Sequence, residues 1–379
     1  MTEPAERAAR AALSAVTEPG AVAIARRVLS GGPVAAWRAI RSGGAPDLDP
    51  RGTLARRAVG VDGAALLDAA AAVGQRFICP GDAEWPEALD PMTASMDGPD
   101  PVPPPLGLWV RGAEPLPVAV ARSVAVVGSR AASRYGAVVA SDLGSDLALL
   151  GWTVVSGAAY GVDAAAHRGA LALDGGTVAV LACGADVAYP RAHADLLERI
   201  ADAGLVISEL PPGSTPTRSR FLARNRLIAG LAAGVVVVEA ALRSGARSTA
   251  GWAQKLSREV LVIPGPVTSA LSAGCHELIR QGGATLVTDA REVVEAVGVL
   301  GADALAPRRG ESRPLDGVSP DASVVFDALS PWEARPEADV LDATKLPVDA
   351  VRVALAELCE SELVVSDDAG GWRILRGGA

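Results

Sequence analysis

Apolar positions change their spacing along the chain, and each change predicts a different kind of structure. In residues 5–78 they recur at helical intervals in short blocks, 5–13, 21–29 and 34–40, separated by Pro19-Gly20 and Gly31-Gly32-Pro33. This predicts a compact helical domain, a helix-hairpin or SAM-like arrangement, over 1–78. A proline-rich run, 99–105, leads into 106–110, which reads as an ordered arm because proline fixes φ. From residue 124 the apolar positions become continuous: 124–127, 153–156, 178–181, 206–208, 235–238, 260–263 and 285–287, each followed by a helical segment. Strands that are apolar on both faces and alternate with helices predict a doubly wound α/β domain with a parallel sheet over 79–300. In such sheets ligands bind outside the carboxyl ends of the strands, so the residues after each strand become the candidate site.

The region 301–320, with Arg308-Arg309-Gly310 and scattered proline, reads as a linker. Helical spacing returns over 322–329, 337–341 and 348–358, and 363–366 and 371–375 form a hairpin across Asp367-Asp368-Ala369-Gly370. Three helices and a hairpin predict a winged-helix domain over 321–379.

Composition adjusts this picture in two ways. At 379 residues, half of them apolar, the chain suits two to three domains of about 150 residues. Aromatic residues make up only 3%, so the core must be packed from Ala, Val and Leu. The four cysteines, Cys79, Cys183, Cys275 and Cys359, form no CxxC pair. That argues against a zinc cluster or a secreted disulfide framework and favours a reducing cytoplasm. The acidic N-terminus and a longest charge-free apolar run of 12 residues, 227–238, predict neither a signal peptide nor a membrane segment.

A net charge of −9 argues superficially against a nucleic-acid partner, but its distribution reverses the inference. Residues 321–379 hold 5 basic and 12 acidic side chains, whereas 117–300 hold 16 and 15. Within 216–258, Arg218, Arg220, Arg224, Arg226, Arg243, Arg247, Lys255 and Arg258 face one acid, Glu239. This +7 patch is the one segment of polyanion size. A solvated face is its plain alternative. Across the chain 33 of the 35 basic residues are arginine, a coding bias, but in this patch seven of eight cations are arginine with Phe221 among them, which favours phosphate binding.

Strand ends supply the candidate chemistry. After 124–127 come Gly128, Ser129 and Arg130: a glycine that lets backbone approach an anion, a hydroxyl, and a guanidinium able to grip phosphate bidentately. An ordinary strand-to-helix turn explains Gly128 equally well. After 153–156 come Gly157, Tyr160 and Gly161, small residues that open a helix N-terminus, with Tyr160 available for stacking. Asp163 and His167 follow at i and i+4, read as a structural pair that holds the turn rather than an acid–base dyad. The third strand leads through Cys183, read as a small buried residue, to Tyr189-Pro190-Arg191, where Arg191 can take a second phosphate. Arg218 to Arg226 adds Phe221, Arg224, Asn225 and Arg226, planar cations around one stackable ring, as in proteins that hold single strands without reading sequence.

No G-x-G triplet occurs and neither lysine follows a glycine, so the dinucleotide fingerprint and the Walker A loop are missing and no cofactor is expected. HExxH, GxSxG and paired-cysteine metal motifs are absent too, and no metal site is expected.

The quoted residues, together with Ile207-Ser208-Glu209, Phe221 through Gly230, Val236 through Glu239 and Val262-Ile263-Pro264-Gly265, resemble the DNA processing protein A (DprA/Smf) family, in family order across roughly 78–298. The resemblance implies an extended Rossmann domain that binds single-stranded DNA, protects it and helps load the RecA recombinase during DNA uptake and recombination, without catalysis. It also implies a homodimer with a helical N-terminal domain and a C-terminal winged helix. It assigns DNA contact to Arg130 and Arg191, and matches Arg224-Asn225-Arg226 to the family's Arg-Asn-Arg stretch. The chain departs from the family at Tyr160, where many members carry arginine, and at Arg243-Ser-Gly-Ala-Arg247-Ser-Thr. The alternative from another class is a Rossmann-type nucleotide hydrolase that cleaves base from ribose phosphate. It relies on a Pro-Gly-Gly-x-Gly-Thr loop, and none of the four Pro-Gly pairs here is followed by glycine.

Overall fold

The computed structural model describes residues 2–298 and 315–375. The chain divides into two compact units, Met1–Leu305 and Ala306–Ala379. Most of the predicted linker, 301–314, lies outside the described residues.

The first unit is built on a nine-stranded, mostly parallel sheet. Its strands are β1 Gln75–Ile78, β2 Leu108–Arg111, β3 Ser123–Val127, β4 Thr153–Ser156, β5 Thr177–Leu181, β6 Leu205–Ser208, β7 Gly234–Val237, β8 Glu259–Val262 and β9 Thr285–Leu286. All seven predicted strands are present. They form because valine-rich runs bury both faces at once: every residue of β3, β5, β6 and β7 is buried. Alternate residues feed two cores. Ala125, Val127, Val235 and Val237 pack under the helices Arg218–Leu231 and Gly245–Lys255, while Val124, Val126, Val236 and Val238 pack under Arg134–Leu149 and Val162–Ala172.

The spatial order is β1-β2-β6-β5-β4-β3-β7-β8-β9. Chain order runs outward in one direction from β3 through β4, β5 and β6, and in the other from β3 to β7, β8 and β9. The strand direction of travel therefore reverses between β3 and β7, which pair in register from Val124↔Gly234 to Val127↔Val237. At such a switch point the two crossover connections leave on opposite faces and a crevice opens beyond the carboxyl ends.

Two strands depart from the sequence reading. Residues 75–78, assigned to the helical domain, form β1, and 108–111, within and just beyond the predicted arm, form β2. Together they extend the sheet antiparallel past β6. Trp109 on β2 is fully buried, its ring 4.6 Å from that of Phe77 on β1, and its Nε1 donates to Ser14 Oγ at 3.4 Å. The N-terminal helices, Pro4–Val16, Val22–Gly31, Pro33–Arg41, Thr53–Ala58 and Gly63–Ala72, are thereby fastened to the sheet and share its compact unit.

The second unit has helices Pro320–Asp327, Glu337–Thr344 and Val348–Glu360 around a small core of Val325, Val340, Leu355 and Val364. Its three strands, β10 Arg335–Pro336, β11 Val364–Ser366 and β12 Gly371–Ile374, form a sheet in the order β10-β12-β11.

Candidate nucleic-acid interface

The crevice at the switch point is an open cleft of about 440 Å³. Its floor and walls come from three strand ends: Gly128, Ser129 and Arg130 after β3, Ala159 and Asp163 after β4, and Arg243 to Ala246 after β7. Phe221, Leu222, Arg224 and Asn225 of helix Arg218–Leu231 close the remaining side. The fold thus gathers six of the residues singled out in the sequence: Gly128, Ser129, Arg130, Phe221, Arg224 and Asn225.

Glycines make the close approaches possible. A Cβ on Gly128 would sit 2.6 Å from Val162 Cγ2, and one on Gly161 would sit 2.2 Å from the Ser129 carbonyl oxygen. Gly161 also has φ +77°, a left-handed conformation that costs a side chain energy. These two glycines let the β4 turn lie directly against the β3 turn, which sets where Arg130 leaves the surface.

Arg130 is exposed and its guanidinium lies 4.7 Å from the Phe221 ring centroid. The Tyr189 ring packs 5.4 Å further on. Cation and aromatic faces therefore form one continuous row at the rim, to which Tyr189 is an addition that the sequence reading passed over; its place two residues before exposed Arg191 was the available signal. Tyr160 is half exposed and packs edge-on against His193, 4.8 Å between ring centroids. Gly157, Tyr160, Gly161 and Arg191 lie beside the cleft lining rather than in it.

Arg224 and Arg226 require a correction. Arg226 is 1% exposed; both Glu209 carboxylate oxygens accept from its guanidinium, and Nε donates to the Pro103 carbonyl at 2.8 Å. It cannot meet a phosphate, because its charge is already neutralised in the interior and it ties the proline-rich run to the sheet. Arg224, 5% exposed, donates to the carbonyls of Gly157 (3.0 Å) and Val180. Gly157 is a glycine because a Cβ there would lie 2.3 Å from that guanidinium. Burial pushes the Arg224 pKa down to about 10, and burial pushes the neighbouring Asp163 carboxyl up. Arg224 thus braces the turn from below. Asn225 is 8% exposed and its Nδ2 donates to the Gly245 carbonyl at 3.3 Å.

The +7 patch is likewise not one face. Arg220 pairs with Glu18, Lys255 with Asp100, and Arg258 donates to the Ala88 carbonyl. Arg218 and Arg243 are exposed, and their side chains have no hydrogen bond or ion pair among the described residues. Asp163 and His167 do not pair either. Asp163 accepts from the Gly157 and Ala159 amides at 3.2 and 3.4 Å, whereas His167 Nδ1 meets Thr177 Oγ1 at 2.7 Å. Burial holds His167 neutral, its pKa pushed down to about 3.

The helix N-termini around the cleft offer fewer free amides than a glycine-rich turn suggests. Val162 donates to the Ser129 carbonyl, Ala164 to Ala159 and Ala165 to Gly161, and Ser244 Oγ takes the Ala246 amide. At the head of helix Arg134–Leu149 the buried Glu239 carboxylate accepts from Ser133 through both its amide (2.9 Å) and its hydroxyl (2.5 Å). Attraction for anions therefore rests on the guanidiniums of the rim. Cys183 is buried, and its thiol pKa is raised to about 11 by that burial, which makes it inert. No group of three or more metal-ligating side chains occurs among the described residues, nor does any helix long and apolar enough to cross a membrane.

Residues 76–298 match the family model of DNA recombination-mediator protein A. A DNA processing protein DprA of Mycobacterium tuberculosis is 45% identical over 384 residues, 100% of this chain and 97% of the relative. Protein Smf of Escherichia coli is 45% identical over 173 residues, 45% of this chain and 46% of its own. Among solved structures, DNA processing protein A of Streptococcus pneumoniae superposes with a TM-score of 0.63 at 32% identity, covering 79% of this chain and 100% of its own. The Helicobacter pylori protein of that name, described for its single-stranded DNA binding mode, gives a TM-score of 0.50 at 30% identity over 58% of this chain and 94% of its own.

Proposed function

This chain belongs to the DNA recombination-mediator protein A family, and we propose that it binds single-stranded DNA across the carboxyl edge of its sheet, protects incoming strands and helps load the RecA recombinase onto them. It does so as a homodimer and without catalysing a reaction of its own. The observation that carries this reading is the row formed by the Arg130 guanidinium, the Phe221 ring and the Tyr189 ring at the mouth of the cleft. Phosphates fall to Arg130, Arg191 and Arg243, and bases stack on the rings, a mode that tolerates any sequence because every base has a π-face. Ser129 donates a further hydrogen bond. The binding mode described for the Helicobacter pylori relative supports the same ligand here.

The C-terminal unit, in winged-helix order, carries a net charge of −7 over 321–379. Its last helix exposes Asp349 and Val353, and its Arg352 is held by Glu337 at 2.7 Å. Such a face repels phosphate, so we assign it to protein contact. The test of the cleft is binding of a labelled oligothymidylate against salt: Arg130→Ala should reduce the slope of log affinity on log salt by about 0.7, the share of one phosphate contact on a single strand. An unchanged slope removes the cleft from the binding surface.

A further inference from the structure

Glu18 sits between two arginines from opposite ends of the first unit. Its carboxylate accepts from Arg220 Nε at 2.8 Å and Nη2 at 3.1 Å, and lies 3.5 Å from Arg57 Nη1. Arg220 belongs to the first turn of helix Arg218–Leu231, next to Phe221 at the cleft. Arg57 belongs to helix Thr53–Ala58, where Arg56 donates to the Arg51 carbonyl at 2.9 Å and so lies against it. Of the other acids of this segment, Asp47 is exposed and Asp49 is occupied as a cap, its oxygens accepting from the Thr53 and Ala55 amides at 2.6 and 2.8 Å. Arg220 and Arg57 thus meet at Glu18, with Arg56 and Arg51 on the same N-terminal segment as Arg57 and with Arg218 in the first turn of the helix that carries Arg220.

The two regions are held at a fixed spacing. The loop at Gly20 packs on helix Arg218–Leu231, where a Cβ would stand 3.6 Å from that of Ala223, and Arg10 donates to the Leu106 carbonyl at 3.2 Å. The Glu18–Arg57 link is solvent-facing, its side chains 47% and 50% exposed, whereas the bidentate link to Arg220 is more enclosed, with Arg220 18% exposed. Exposed ion pairs of this kind contribute little and exchange readily for a stronger anion. A phosphate meeting Arg57 thus displaces a weak partner.

We propose that the single-stranded DNA path leaves the cleft over Arg218 and Arg220, passes Glu18, and continues across Arg57, Arg56 and Arg51, so that the N-terminal helices form a second phosphate-binding segment used only by long strands. This rests on the cleft reading above. The ligand chemistry is a run of phosphodiesters longer than the cleft holds.

The test uses the full chain and two oligothymidylates, one of about 6 nucleotides, within the usual site sizes, and one of about 30, beyond them. Arg51→Gln with Arg56→Gln alters two exposed side chains and should leave thermal unfolding unchanged. It should lower the salt slope for the long strand by about 1.4, two contacts at about 0.7 each, and leave the short strand unaffected. Glu18→Gln should tighten the long strand alone. Equal binding of the long strand by the double variant and the parent overturns the extension, as does an equal loss on both lengths. Arg130→Ala, read on the short strand, reports the cleft separately, so a failure there is distinguished from a failure of the N-terminal segment.

Discussion

The turn after β3 and the middle of helix Arg218–Leu231 are both marked by arginine, and they use it in opposite ways. Arg130 stands in solvent with an aromatic face beneath it. Arg224 and Arg226, at most 5% exposed, are spent on backbone carbonyls and on Glu209 inside the molecule. The same guanidinium stands open to solvent in one place and is a structural strut in the other. Which it becomes depends on whether the fold brings acceptors to it. Arg226 engages all three of its guanidinium nitrogens inside the molecule and Arg224 is withdrawn by burial, whereas Arg130 keeps its donors at the rim.

The sharpest way to break this contrast is to remove a strut. Arg226→Ala leaves Glu209 buried without its counter-charge and should lower stability by about 3–5 kcal/mol, read by urea denaturation. A loss below about 1 kcal/mol would place Arg226 with the solvent-facing group. Next in size, Gly161→Ala forces a Cβ against the Ser129 carbonyl at positive φ, and should cost about 2–3 kcal/mol while displacing Arg130 and weakening DNA binding; intact binding would uncouple the two turns.

A third effect concerns pH. His167 is neutral in the folded chain, with a pKa near 3, against 6.5 in the unfolded chain. The unfolded state therefore takes up a proton first. Stability is full above pH 6.5 and falls as pH drops from there toward 3, by about 2 kcal/mol at pH 5. His167→Leu should flatten that part of the pH profile in denaturant melts, and an unchanged profile would assign the acid sensitivity to another group. The smallest effect sharpens the rim side: Arg130→Lys keeps the charge and the salt slope but loses the planar stack on Phe221. It should weaken oligonucleotide binding two- to fivefold, about 0.5–1 kcal/mol, without change in stability.

Much of the α/β unit was legible because its signals are local. Seven strands announced themselves as aliphatic runs too short for helices, and the glycines at their ends marked the turns. β1 and β2 escaped because Gln75–Ile78 and Leu108–Arg111 are four residues long and sit beside helical spacing or a proline run. Their strand state depends on pairing with each other and with β6. At the site, the Gly128-Ser129-Arg130 turn was legible from its position after a strand. The separation of Asp163 from His167 was not: i, i+4 spacing permits a pair, but the Gly157 and Ala159 amides and the Thr177 hydroxyl offered better partners.

The amino-acid order by itself determined where the seven parallel strands and their turns form, since burial on both faces and the strand-turn-helix rhythm are written in neighbouring residues. Only the tertiary structure decided which arginines face solvent. Glu18 lies 202 positions from Arg220, Gly157 lies 67 from Arg224, and Pro103 lies 123 from Arg226. A cation's role is set by such distant acceptors, and charge counted along the chain cannot see them.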